Sequence, residues 1–328
     1  MSNNNNNFPV IDTHQHIVSP PVKRKMDELN LTGPKVEWSP EIAIERNENA
    51  GISFAFLSYP SAPAFVEQAE STKLVRETNE YLAKLVGDHP TKFGAFATLP
   101  MPSVENSLEE VIYSLDTLRL DGVAFLSSYK GKYLSHPDNK ELLNELDCRH
   151  ATVLVHPILI KEELAGLPPA MLEGTFDTTR NVTSMAVNQI FDKFPNINFI
   201  FPHTGGMVPY IKWRIAVTAL AARTTTAGDF LQVEVSPEEI QTEMAKLDRL
   251  YYDTAVNPGP LPKLMNPSQI LFGTDIPFAN DNIVQYQLNS IFNHTEELGE
   301  EMVRAITSGN ALRLFPRLKE IMGSSLVL

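Results

Sequence analysis

Cysteine is nearly absent: Cys148 is the single one in 328 residues. One thiol cannot form an intramolecular disulfide, which excludes a disulfide-stapled secreted scaffold and points to a reducing compartment. Cys148 itself, in Asp-Cys-Arg-His at a helix end, reads as filler rather than a catalytic thiol. Positive charge is also scarce, with 27 Lys and Arg against 40 Asp and Glu and a formal net charge of −13. That balance argues against nucleic acid or an anionic membrane as the main partner. An acidic small molecule is still allowed, because one local cation outweighs a distant diffuse field. No stretch approaches the ~18 uninterrupted apolar residues of a membrane span. The N-terminus lacks the basic and apolar regions of a signal peptide. Residues 1–7, Met-Ser and five Asn, read as a disordered polar tail, and the protein as soluble and cytoplasmic.

What is present is an ordinary globular composition, 43% hydrophobic and 20% charged. Short apolar runs recur at 10–11, 52–57, 93–99, 121–126, 151–156, 197–203, 250–253 and 269–275, separated by helical patterns. Ser39 and Pro40 open one such helix and Gly51 ends it. Residues 17–38 read as a long irregular loop, a natural lid or a packing element. Eight strands alternating with helices predict a single (β/α)8 TIM barrel over 8–328. A doubly wound open sheet is the runner-up, but no Gly-x-Gly-x-x-Gly follows the first strand. No linker, charge run or repeat divides the chain.

Active sites of such barrels lie at the C-terminal ends of the strands. There the sequence places His14 and His16 on strand one, His156 on strand five, His203 on strand six and Asp275 on strand eight. Any one of these histidines alone reads as a hydrogen-bonded core residue. Together, each following an apolar run, they predict a divalent metal site. The two imidazoles of His14-Gln-His16 share a face because strand side chains alternate with period two. The nominal ligands are His14, His16, His156 and Asp275, with His203 free to move protons; His203 as ligand and His156 as base is the alternative. Three imidazoles and a carboxylate suit zinc first, with Mn²⁺ or Fe²⁺ as alternatives. Strand four ends in Phe-Leu-Ser-Ser128, and the nearest lysines, Lys130 and Lys132, lie beyond it, so one metal is expected rather than a lysine-bridged pair. His89, His136, His150 and His294 read as structural or exposed.

The residues resemble the decarboxylase branch of the amidohydrolase superfamily, which includes aminocarboxymuconate-semialdehyde, γ-resorcylate and fungal 6-methylsalicylate decarboxylases. The resemblance runs from Ile11-Asp-Thr-His-Gln-His16 to Gly309-Asn-Ala-Leu-Arg-Leu-Phe315, through Thr98-Leu-Pro-Met101, Val155-His-Pro157, Pro202-His-Thr-Gly-Gly206 and Gly273-Thr-Asp-Ile-Pro-Phe278. Trp38-Ser-Pro-Glu41 and Phe176-Asp-Thr-Thr-Arg180 are most similar to the 6-methylsalicylate type. The resemblance implies His14, His16, His156 and Asp275 as metal ligands and His203 as a proton-transfer residue. It implies Arg214 as a substrate-carboxylate binder acting across a homodimer interface. The loop 31–38 carries no arginine where the muconate enzyme has a second carboxylate binder, although Lys35 could substitute. A monocarboxylic hydroxybenzoate is therefore expected over a dicarboxylic acid. Asp253 is either an orienting partner of a ligand histidine or a structural hydrogen-bonder. Asp177 is expected to cap the helix carrying Arg180, which reads as a salt-bridge or pocket residue.

The implied chemistry is non-oxidative, metal-dependent decarboxylation of a 2-hydroxybenzoate, 6-methylsalicylate first, with Asp275 as proton donor to carbon. Hydrolysis of a lactone or amide at the same metal is the enzymatic rival. A metal-binding barrel without catalysis is the third reading.

Overall fold

The computed structural model describes residues 8–33, 35–158, 170, 172–224, 234–256, 261–293 and 295–322. The expected polar tail at 1–7 and His294 lie outside them. Parallel strands β1 (Ile11–His16), β2 (Phe54–Ser58), β3 (Phe93–Thr98) and β4 (Gly122–Leu126) pair in order. A small antiparallel hairpin of β5 (Ser128–Tyr129) and β6 (Lys132–Tyr133) follows. The main sheet continues through β7 (Thr152–His156), β8 (Asn198–Phe201), β9 (Tyr251–Asp253) and β10 (Ile270–Leu271). The residues after β10 then join β1. Thr13 N donates to Phe272 O at 2.9 Å, Asp275 N to His14 O at 2.9 Å and His16 N to Ile276 O at 2.6 Å. The eight parallel strands thus make the expected (β/α)8 barrel.

Two apolar layers follow from strand alternation. Phe54, Phe56, Phe96, Leu154 and Ile200 fill the barrel interior, where Phe315 from the chain's end stacks on Phe56 with centroids 4.0 Å apart. Ala55, Leu57, Ala95, Val123 and Val153 face outward under the helices. Buried on both faces, the strands read as continuous apolar runs rather than alternating ones.

One strand breaks the rule. In β1 the partners are Ile11–Phe54 and Asp12–Ala55, then Gln15–Leu57 and His16–Ser58, so β1 spends one residue more than β2 between them. This bulge swaps the faces. Ile11 points into the barrel and Asp12 outward, whereas beyond the bulge Gln15 points outward and His14 and His16 inward. Gln15 Nε2 accordingly donates to Asn47 at 2.8 Å and to Asp12 at 2.7 Å.

Helix α2 (Pro40–Ala50) has the expected ends: Ser39 Oγ accepts from Ile42 N at 3.2 Å, and Gly51 closes it at φ 78°. Two expectations need correction. Residues 17–38 are not all irregular, because α1 (Pro20–Glu28) lies within them, capped by Ser19. Pro20 and Pro21 look like a break, yet proline is well suited to a first helical turn, where its missing N–H is not needed. Asp177 caps nothing: α6 (Glu173–Val187) starts earlier and contains it. Beyond α6 the backbone turns at Gln189, φ 59°, before the short α7 (Ile190–Lys193). No helix among the described residues is long and apolar enough to cross a membrane.

Candidate metal centre

Every residue at the centre is delivered by a strand end and held from behind. Fully buried His14 places Nδ1 2.8 Å from Asp253 Oδ2, so Nδ1–H donates and Nε2 keeps its lone pair. For His16 the logic runs through Ser58. That hydroxyl gives its only proton to Gln15 O at 3.1 Å, so it must accept from His16 Nδ1 at 3.0 Å. His156 Nδ1 donates to Pro157 O at 2.9 Å. In their neutral forms all three rings thereby have Nε2 unprotonated and turned inward.

These nitrogens converge with a carboxylate. One ligand atom each from His14, His16, His156 and Asp275 lie within 4.8 Å of one another. His14 Nε2 and His16 Nε2 are 3.0 Å apart, and Asp275 Oδ1 is 3.1 Å from the latter. Asp275 Oδ1 is buried without a hydrogen-bond donor. Acceptors facing acceptors at this range repel unless a cation stands between them. The donor set, three imidazoles and one carboxylate, fits a divalent metal.

Electrostatics agree with geometry. Burial pushes the His16 and His156 imidazoles down, the latter well below the ordinary histidine value, leaving both neutral as ligands must be. Burial also opposes a charge on His14, but the Asp253 carboxylate outweighs it and raises that ring to about 9, so at neutral pH without a metal His14 Nε2 carries a proton facing His16 Nε2, which a metal ion would displace. Burial works against the Asp275 anion too. The surrounding His16, His203 and His14 rings nonetheless hold it well below the usual carboxylate range. Asp275 is therefore a carboxylate at neutral pH.

His203 stands beside this group, its Nε2 3.7 Å from Asp275 Oδ2 and its ring 5.4 Å from that of His156. Its backbone N donates to Asp253 Oδ1 at 2.9 Å, so one buried carboxylate braces both His14 and the turn bearing His203. His203 and Asp275 have left-handed backbones, φ 54° and 71°, in the strained class that clusters at functional sites. Gly273 permits the close approach of this segment: a Cβ there would lie 2.9 Å from His14 Cβ and 3.1 Å from Asp253 Cβ.

Other predicted residues lie elsewhere. Arg214 is exposed on α8 (Val208–Thr224), with exposed Trp213 and Tyr210 nearby, and does not line the cavity beside the histidines. Arg180 is exposed, 3.9 Å from Glu173. Lys35 is exposed as well. Asp177 has a different function from capping: its carboxylate accepts from Ser127 Oγ, from Tyr133 Oη at 3.1 Å and from Ile158 N at 3.0 Å. It ties β4, the hairpin and the segment leaving His156 together. Sequence reasoning assigned no role to Ser58, Tyr59 or Phe278. Phe278 is 54% exposed, yet its ring lies 5.5 Å from that of His16. Phe278 and Tyr59 line a cavity of about 650 Å³ that opens beside His16 and His156.

A parallel barrel that gathers imidazoles and a carboxylate at the C-terminal rim of its strands is the architecture of a metal-dependent enzyme. Family comparison gives the next step. The amidohydrolase family model matches residues 11–317, and the chain belongs to that family. It is 30% identical over 329 residues, 95% of this chain and 98% of the relative, to a 6-methylsalicylic acid decarboxylase of Penicillium expansum. It is 25% identical, over 84% of this chain and 76% of the relative, to a 2-amino-3-carboxymuconate-6-semialdehyde decarboxylase of Dictyostelium discoideum. These named relatives are carboxy-lyases. Among solved structures, a dihydroxybenzoic acid decarboxylase of a Polaromonas species with bound manganese and 2-nitroresorcinol shares the fold. It has TM-score 0.75 at 19% identity and covers 98% of this chain and 100% of that one.

Proposed function

We propose that this protein is a metal-dependent, non-oxidative decarboxylase of a 2-hydroxybenzoate, with 6-methylsalicylate to 3-methylphenol and CO₂ as the leading reaction. The observation that carries the reading is the buried, donorless Asp275 oxygen among three imidazole nitrogens at the inner end of a largely apolar cavity. The named relatives, aligned over most of this chain, support the same class. A single divalent ion, zinc first and manganese as the alternative, would be held by His14, His16, His156 and Asp275. It would supply Lewis acidity toward the carboxylate and phenolate oxygens.

Direct loss of CO₂ from the ring would leave an aryl carbanion. Adding a proton to the carboxyl-bearing carbon first makes that carbon sp³, and CO₂ then leaves with the ring regaining aromaticity. One proton enters and one CO₂ departs, so no redox partner is needed. Asp275 is the group assigned to deliver this proton. Its low pKa must first be reversed, which the arrival of substrate anions against its carboxylate accomplishes. His203, 3.7 Å away, relays the proton or hydrogen-bonds the phenolic oxygen. Phe278 offers an apolar wall to the ring. We further assign Arg214 to the substrate carboxylate of a neighbouring subunit, which makes the active protein a homodimer.

Turnover of 6-methylsalicylate in D₂O tests the reaction. Equal release of CO₂ and ring-deuterated 3-methylphenol, abolished by a chelator, is expected; hydrolysis would place no deuterium on a ring carbon. Asp275→Asn should lose at least the ~10²–10⁴-fold typical of a general acid. Near-normal activity in that variant would remove Asp275 from the role. Mixing Arg214→Ala with His203→Ala subunits should restore part of the activity, since one site of each mixed dimer is then intact. No recovery in verified mixed dimers would place Arg214 outside the site.

A further inference from the structure

The cavity beside the histidines is larger than the substrate just assigned. 6-Methylsalicylate has about eleven non-hydrogen atoms. Even at one water volume each, about 30 Å³, it would fill roughly half of the space, which measures about 650 Å³. Among the described residues the remaining wall is mostly apolar, with the hydroxyls of Ser19 and Ser61 as exceptions. Val22 and Met26 of α1, Val36 of the following loop, and Ala64 and Ile158 line it. The charged residues on the described lining, Lys23 and Asp27, are exposed and so belong to the mouth, where exposed Ala64 also lies. Water in such a space has few polar partners, and its displacement by an apolar group is favourable. Tyr59 adds a selective feature. It lines the same cavity. Burial pushes that phenol up to about 12, so it keeps its proton.

We infer that the site also accepts, and binds more tightly than 6-methylsalicylate, a 2-hydroxybenzoate bearing a linear or branched apolar substituent of several carbons, directed away from the carboxyl–hydroxyl edge into the space between α1 and Ala64. This rests on the decarboxylase reading and extends it to larger alkyl-substituted acids. The carboxyl–hydroxyl edge must face the metal centre, which leaves ring carbons 4, 5 and 6 as attachment points.

The test uses the metal-loaded full chain and three series of alkylsalicylates, substituted at carbon 4, 5 or 6, from methyl to hexyl. Affinity is measured by titration calorimetry and turnover by CO₂ release. In at least one series both the association constant and kcat/KM should climb about three- to fourfold per methylene until the cavity is full. Ala64→Phe should pull the hexyl-to-methyl ratio back toward one, whatever it does to either rate alone. Flat or falling affinity with chain length in all three series would overturn the inference while leaving 6-methylsalicylate turnover in place. Absence of CO₂ release from every acid would overturn the decarboxylase reading instead, and the affinity series would still decide the character of the cavity.

Discussion

Asp253 shows how much one side chain can organise. Its two oxygens take His14 Nδ1 and the backbone nitrogens of His203 and Ala255, at 2.8, 2.9 and 2.9 Å. Asp253→Asn keeps the shape but weakens the bond that fixes the His14 tautomer. The expected result is a 10- to 100-fold loss of metal affinity in chelator competition, with the barrel still folded. Unchanged affinity would make Asp253 purely structural. The histidines and Asp275 were visible in the sequence because each polar residue interrupts or ends an apolar run. The supports were not. Ser58 matters only through a hydroxyl proton already committed to Gln15 O, and that is a property of three-dimensional neighbours. Asp177 was misread because an aspartate before Thr-Thr looks like a cap, while its actual partners lie on β4 and the segment after His156.

At the scale of elements, strand positions were legible and their details were not. Uninterrupted apolar runs reported where the eight strands lie. A bulge depends on the register of two strands together, so nothing in Ile11-Asp-Thr-His-Gln-His16 alone announces it. Helix pairing is also set by contacts between elements. α9 (Pro237–Leu247) lies against α8, and Glu243, only 6% exposed, receives Arg223 at 2.6 and 2.9 Å and Lys246 at 2.6 Å. Burial opposes the Glu243 charge, but Arg223 and Lys246 outweigh it and hold the carboxyl below its ordinary value of 4.5. A depressed acid binds fewer protons folded than unfolded, so its stabilisation is complete above that ordinary value. It is lost as pH falls through the lower folded value. Denaturant titrations of Glu243→Gln should therefore show a shallower fall in stability below the ordinary glutamate value than the wild type. Parallel acid profiles would mean that the cluster contributes nothing through its charge.

For the whole molecule, the metal centre draws on the first, fifth and last barrel strands. A metal bound there stabilises the folded chain alone and should add about 2.7 kcal/mol at a hundredfold excess over Kd. Urea unfolding with and without a chelator measures this. Equal midpoints would mean that the four residues hold no ion under those conditions. Net charge and the near-absence of cysteine set expectations about partners and compartment, but they could not have revealed the exposed setting of Arg214.

The closure between β1 and the segment after β10 carries a consequence for synthesis. Thr13 and Phe272, hydrogen-bonded through two separate atoms of Thr13, are 259 positions apart in the chain. His14 and His16 leave the ribosome long before Asp275 exists, so a growing chain offers a cation two imidazoles but not the carboxylate. The barrel's last seam and its metal pocket are completed in the same late event. A chain cut short before that seam would lack both, and the cell would have no partly active version of this protein to contend with.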